Sequence, residues 1–173
     1  MRIFFSVFVV LFAMNAAKAE IIFSPAVSYL SSKVEEGGAT IIDGSTIFVD
    51  ARLGYLMPNG LYLGGIYAIE NNDAASSYYG GASVGFVSGG FSLIGSYFLL
   101  GEYDPDGDLK YTGATGFQGD ISYAHMIASN FAIGPQISYR SVEFDKRDNA
   151  GTETDSDRSD TQILPMINLW FVF

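Results

Sequence analysis

Six polar residues of both signs recur at strand-like spacings: Asp50 with Arg52, Gln118 with Asp120, and Gln136 with Arg140. Residues two or four apart point to the same face of a β-strand. A set carrying both charge signs can form a buried ion-pair network or line a polar path. His125 is the single histidine and the one obvious general base. The nearest following serine is Ser129, and a nucleophile must lie within hydrogen-bond reach of its base. His125 also falls on the apolar parity of its run, which suits an interfacial side chain better than a catalytic one. The run Asp104-Pro105-Asp106-Gly107-Asp108 resembles the opening of a calcium loop. An EF-hand needs Gly at its sixth position and Glu at its twelfth, and those slots hold Leu109 and Thr115. The carboxylates of Asp104, Asp106 and Asp108 leave only weak divalent-ion binding as an expectation.

The elements that must position these residues are all strands. Period-two runs cover Ile21 to Lys33, Thr46 to Met57, Leu61 to Glu70, Tyr78 to Val87, Phe91 to Gly101, Thr115 to Ile127, Phe131 to Phe144 and Thr161 to Phe173. Eight strands follow. Met57-Pro58-Asn59-Gly60, Ser88-Gly89-Gly90 and Ala128-Ser129-Asn130 read as tight turns in which Gly and Asn supply positive φ. The other links, Val34 to Ser45, Asn71 to Ser77, Glu102 to Ala114 and Asp145 to Asp160, are longer and polar, and read as loops. Short and long links alternate, so an even strand count leaves both termini at the short-turn end.

Which face is apolar decides the solvent. In the second run Ile47, Val49, Ala51, Leu53, Tyr55 and Met57 share one parity, while Thr46, Phe48, Asp50, Arg52 and Gly54 share the other. The sixth and seventh runs split the same way. The polar parity is mostly Ser, Gly, Gln and Ala, too poor in charge for a water-facing surface, but suited to the narrow filled interior of an eight-stranded barrel. The apolar parity then faces lipid. Pro25, Pro135 and Pro165 fall on that outward side, as do Tyr29, Tyr55, Tyr97, Tyr123, Tyr139 and Phe173, candidates for aromatic girdles. The fold class is therefore all-β: an eight-stranded antiparallel transmembrane β-barrel of outer-membrane type.

Composition agrees. With Gly 20, Tyr 11, Phe 14 and only 16% charged residues, the chain is neither disordered nor surfaced like a soluble domain. Past the first twenty positions no apolar run reaches the roughly 20 residues of a membrane helix. The absence of cysteine excludes disulfides, thiolate metal sites and an N-terminal lipid-modified cysteine. Residues 1–19 read as a cleaved signal peptide, with Arg2, an apolar stretch from Ile3 to Met14 and Ala17-Lys18-Ala19, leaving residues 20–173 as one barrel domain. Removing Arg2 and Lys18 from nine basic residues leaves seven against nineteen acidic, a net charge of −12. That balance argues against nucleic acid as a partner, and no cofactor is implied.

The final row Ile163, Pro165, Ile167, Leu169, Phe171 and Phe173 resembles the C-terminal signature of bacterial outer-membrane β-barrels, in which the terminal aromatic is read by the barrel-assembly machinery. Together with the strand and turn pattern, it extends the likeness over the mature chain to the small barrels of the OmpX, OmpW and OmpA-transmembrane type. The stretch Phe131 to Arg140 also resembles the penultimate strand of the generic outer-membrane β-barrel domain family. The resemblance implies an outer-membrane location, periplasmic termini, extracellular loops, and contact with outer-membrane lipid and lipopolysaccharide. It makes Phe171 and Phe173 the assembly signal. It leaves activity open, because the fold hosts adhesins, channels, anchors and enzymes. The expected function is a non-enzymatic envelope barrel with a packed polar lumen and acidic loops that meet an extracellular partner. The alternative is a narrow passive channel for small or apolar solutes, suggested by inward Phe48, Ile94, Phe98, Met166 and Trp170. A lipid A-modifying enzyme comes third. Lipid A deacylase barrels carry a His followed two residues later by a Ser, and His125-Met126-Ile127 departs from that spacing.

Overall fold

The structure, a computed structural model, describes residues 19–36, 39–105 and 108–173. The expected signal peptide and Asp106 lie outside them, apart from Ala19. Nine antiparallel strands follow one another: β1 (Glu20–Glu36), β2 (Ala39–Leu56), β3 (Leu61–Asn72), β4 (Ala75–Ser88), β5 (Phe91–Pro105), β6 (Leu109–Tyr123), β7 (His125–Ala128), β8 (Phe131–Asn149) and β9 (Thr152–Val172). β1 to β6 pair in chain order, as do β7, β8 and β9; β6 pairs with β8, and β9 returns to β1, so the sheet closes on itself. β7 continues the line of β6 along β8, so the nine strands make eight staves.

The single break in the sixth stave falls at Ala124, and the residue that permits it is Gly134 of β8. A Cβ there would run into the Tyr123 carbonyl and the Ala124 backbone, so only glycine lets β8 pass the bend. At the short-turn end Gly89 and Gly90 both take positive φ, the pattern of a type I′ hairpin. Asn59 and Asn130 do not. Asn59 instead accepts a hydrogen bond from the Leu61 amide at 3.1 Å, closing an Asx turn that tightens the link from Met57 to Gly60.

The four links expected as loops are mostly strand. β3 and β4 pair through Asn72 and Ala75, and β8 and β9 through Asn149 and Thr152, where Ala150 and Gly151 turn the chain with φ of 52° and 85°. Polarity signals exposure to water, and a hairpin ladder extending past a bilayer needs no apolar face. Apart from β7, the strands run 12 to 21 residues and continue past the apolar belt at the end opposite the short turns. Near that boundary the alternation slips. The β4–β5 register shifts at Gly80/Gly81, and Leu99 and Leu100 are both exposed, the mark of a β-bulge. A second shift lies between Phe144 and Lys146 on β8.

The outer wall is apolar over the shared height of the staves. Leu53, Phe117, Ile137 and Ile163 are 52–69% exposed. All six girdle aromatics named from sequence are exposed as well. Inside, apolar clusters close both ends of the bore. Ile22, Tyr62, Ile94 and Trp170 pack near the short turns; Tyr79, Phe98, Val142 and Phe144 pack toward the other end, with Tyr103 and Tyr111 against them.

The ladder between β1 and β9 is the weakest rung set. It holds at Ile22–Phe23 and Ala26–Val27, skips Ser24 and Pro25, and stops at Val27↔Ile167. Continuing the register would set Tyr29 against Pro165. Both interruptions therefore sit at a proline, which has no N–H to give.

Replacing Gly134 by Ala forces backbone against backbone and should lower the refolding stability of the barrel by about 1–3 kcal/mol in urea titration. Gly119→Ala, at an outward position with nothing within 4 Å of the new methyl, should leave the midpoint unchanged or raise it.

Candidate functional site

Between the two apolar clusters lies a polar layer. Asp50 and Arg52 come from β2, Gln118 and Asp120 from β6, and Gln136 and Arg140 from β8; all six are at most 3% exposed. In a ring of eight staves β2 stands opposite β6, so contacts between them cross the whole bore.

Two salt bridges cross the bore, one from β2 to β6 and one from β8 to β2. Arg52 Nη2 donates to Asp120 Oδ2 at 2.6 Å, and Arg140 Nη2 donates to Asp50 Oδ1 at 2.5 Å. Gln118 is the hub: its Nε2 donates to Asp50 Oδ2 at 2.6 Å and to Asp120 Oδ1 at 2.8 Å, while its Oε1 accepts from Arg140 Nε at 2.7 Å. Gln136 Nε2 adds Asp120 Oδ1 at 3.2 Å and Ser138 Oγ at 2.8 Å. Arg52 also lies 3.5 Å from Asp50. The two guanidinium groups and two carboxylates sum to zero charge, which a buried layer requires. Arg140 is further held by the faces of Tyr79 and Phe98, 5.4 and 5.8 Å from its guanidinium carbon.

All six residues singled out in the sequence thus meet in one network. Strand folding about Ala128 to Asn130 sets Arg140 opposite Gln118, and the register agrees. It also suggests Asp120 as the diagonal partner of Arg140, and there the structure differs. Arg140 reaches across the bore to Asp50, and Arg52 takes Asp120, because a narrow barrel brings opposite walls as close as neighbouring strands.

Sequence reasoning missed part of the layer. Asn168 accepts from Ser24 Oγ at 2.8 Å and donates to Ser122 Oγ at 3.3 Å, and Ser122 and Ser92 share a hydrogen bond at 2.5 Å. The signal was present: Asn168 shares its parity with inward Leu164, Met166 and Trp170.

Above the upper cluster Arg158 lies over Tyr103 and Tyr111, 4.0 and 5.0 Å from their ring centres, and grips Asp160 at 2.9–3.1 Å. Glu70 accepts from Gln162 at 3.0 Å. Asp104 is taken up by Lys110 at 3.0 Å, as is Glu102 at 3.1 Å, and Asp108 is exposed. Hydrogen bonding to Asp104 holds the Lys110 ammonium above its ordinary pKa, with Glu102 adding to it. Among the described residues no three carboxylates or other ligating groups gather as a metal site. On the outer hairpin the Lys146 hydrogen bond holds Asp155 below the usual carboxylate range. His125 is exposed on β7. Phe171 packs against Phe23 and Phe131, with ring centres 6.2 and 5.1 Å apart, and Phe173 exchanges backbone hydrogen bonds with Ile21.

Several solved structures resemble the chain, two of them as follows. One is neisserial surface protein A (NspA), 15% identical over 89% of this chain and 97% of that one, with a TM-score of 0.48. The other is the translocator domain of the autotransporter NalP from Neisseria meningitidis, 11% identical over 87% of this chain and 61% of that one, with a TM-score of 0.34. No protein-family model matches the chain, and no curated protein matches it.

Asp120→Ala strands Arg52 in the bore and should cost about 3 kcal/mol or more in urea unfolding. Replacing both partners, Arg52→Met with Asp120→Leu, should recover much of that loss, since no uncompensated charge remains. An Asp120→Ala midpoint equal to wild type would remove Asp120 from the network. Asp155 bears on pH: its lowered value means that the hairpin contact is complete above the ordinary aspartate pKa, about 3.9. The contact is lost as pH falls through the lowered value, so amide exchange at Thr152 to Asp155 should accelerate below about pH 4.

Proposed function

We propose that the chain is an integral protein of the bacterial outer membrane, non-enzymatic, with a plugged lumen and an outer set of acidic hairpins that meets the cell's surroundings. One observation carries this reading: the sheet is closed, its large apolar side chains point outward, and its charges are paired inside. In hydrocarbon every backbone polar group must be satisfied within the protein, and only helices and closed barrels meet that demand. The short-turn end, where the first and last strands are tied together through Ile21 and Phe173, is assigned to the periplasm, and the projecting hairpins to the outside.

Phe171 and Phe173 then serve as the signal read by the assembly machinery, and the exposed aromatics sit at the two interfaces against lipid and lipopolysaccharide. A packed lumen supports a structural or interaction role over solute passage. Phe48, Ile94, Phe98, Met166 and Trp170, which made a channel conceivable from sequence, are at most 6% exposed and fill the bore. The exposed position of His125, away from the polar layer, supports the non-enzymatic reading over lipid A chemistry.

Single-channel recording of the refolded mature chain in a planar bilayer tests the plug. Stable insertion without discrete current steps is expected, with Arg140→Ala, which opens the polar layer, producing flickering openings. Steady conductance in the wild type that Arg140→Ala alters would instead make the layer a pore lining. Lipid A mass spectra with and without the protein should be identical; a new acylation state would replace this reading with an enzyme.

A further inference from the structure

Above Val27↔Ile167 the seam between β1 and β9 opens, and the greater part of the β9 edge freed there, Thr152 to Gln162, lies beyond the apolar belt. β9 keeps β8 beside it down to Thr152, with a bulge that leaves Ser156 and Asp157 out of the ladder. On its other side it has β1 only up to Ile167, and among the described residues no strand pairs with Thr152 to Met166 on that side. β1 does not return to cover it: β1 continues with β2 to the Glu36↔Ala39 rung, and the next seam positions face Pro165. An edge strand with bare main-chain donors and acceptors is a template for another strand, and proteins usually keep such edges short. Here the stretch from Thr152 to Gln162 alone would run about 35 Å at roughly 3.4 Å per residue.

We propose that this outer edge of β9, Thr152 to Gln162, is a docking rail for an extended, basic polypeptide segment that adds to it as a further strand. It rests on the outer hairpins standing in water beyond the bilayer. Main-chain pairing supplies affinity in this mode, and the side chains beside the edge choose the partner. Those side chains are acidic. Asp155 and Glu153 share Lys146 of β8, Asp160 holds Arg158, and the β8–β9 hairpin from Glu143 to Asp160 still carries seven acidic side chains against Lys146, Arg147 and Arg158. Opposite charges facing each other across a strand pair stabilise it and like charges oppose it. A second copy presenting the same edge would set acid against acid, so the charge pattern selects a basic segment. The flanking Thr152, Thr154, Ser156, Ser159 and Thr161 are short polar residues that suit a solvated strand.

The test uses the full mature barrel in zwitterionic nanodiscs, with its fold checked by circular dichroism, and a fluorescent twelve-residue peptide of alternating Lys and Thr. Three observations are expected: binding that weakens as salt rises, slowed amide exchange confined to residues 152–162, and affinity about tenfold lower for the same peptide N-methylated at alternate residues, which keeps the charge but blocks strand addition. The double variant Asp155→Asn, Asp157→Asn should lose affinity while the barrel remains folded. Equal binding of the N-methylated peptide would reduce the contact to charge alone and overturn the proposal. So would no binding, or amides at 152–162 already protected in the free barrel, which would mean that β1 occupies the edge. A chain that fails to insert into nanodiscs as a β-sheet would count instead against the membrane reading on which the proposal rests.

Discussion

Main-chain hydrogen bonding without water, which the proposed membrane setting imposes, is the constraint from which the rest of this structure follows. A sheet in hydrocarbon has to close, and closing eight staves sets a bore just wide enough for side chains. The outward parity is then free to be large and apolar, and the inward parity must be small, or paired, or both. The one seam that closes the ring is also where the constraint is met least fully. Pro25 and the position opposite Pro165 interrupt the β1–β9 ladder, and above Ile167 it does not resume.

The bore itself is layered. Apolar clusters close the two ends, and the charges sit between them, shielded from both mouths. Four ionised groups in such a place are tolerable because each has an opposite partner, Gln118 and Gln136 donate to the carboxylates, and Arg140 donates to Gln118. Gln118 touches both carboxylates and one guanidinium, so it couples the two bridges into one unit. A plug built this way holds opposite walls together, which a ring of neighbour-to-neighbour ladders alone does not do.

The outer hairpins follow different rules. A bulge at Leu99 breaks the in-out alternation of β5, and one at Ser156 and Asp157 shifts β9 against β8. Beyond them Arg158 lies over Tyr103 and Tyr111. Stability in this region comes from short-range turn chemistry and exposed ion pairs, which contribute little individually. That is the character expected of a surface that meets partners.

Much of this was legible in the residues alone. Period-two alternation is local, so it placed Asp50, Arg52, Gln118, Asp120, Gln136 and Arg140 on one face, and the poverty of charge on that face marked it as interior. Glycine at Gly89 and Gly90 announced a hairpin because few other residues adopt positive φ. Three things were not legible. Partnership across the bore depends on which staves stand opposite, a property of ring closure that no pair of adjacent strands reveals; Arg140 therefore looked toward Asp120 and in fact meets Asp50. The true length of the outer strands was hidden because polar residues read as loop, while an antiparallel ladder in water is indifferent to polarity. The free edge of β9 was hidden as well, since a residue's own sequence does not say whether a distant strand lies beside it; only the closed register of the whole sheet decides that.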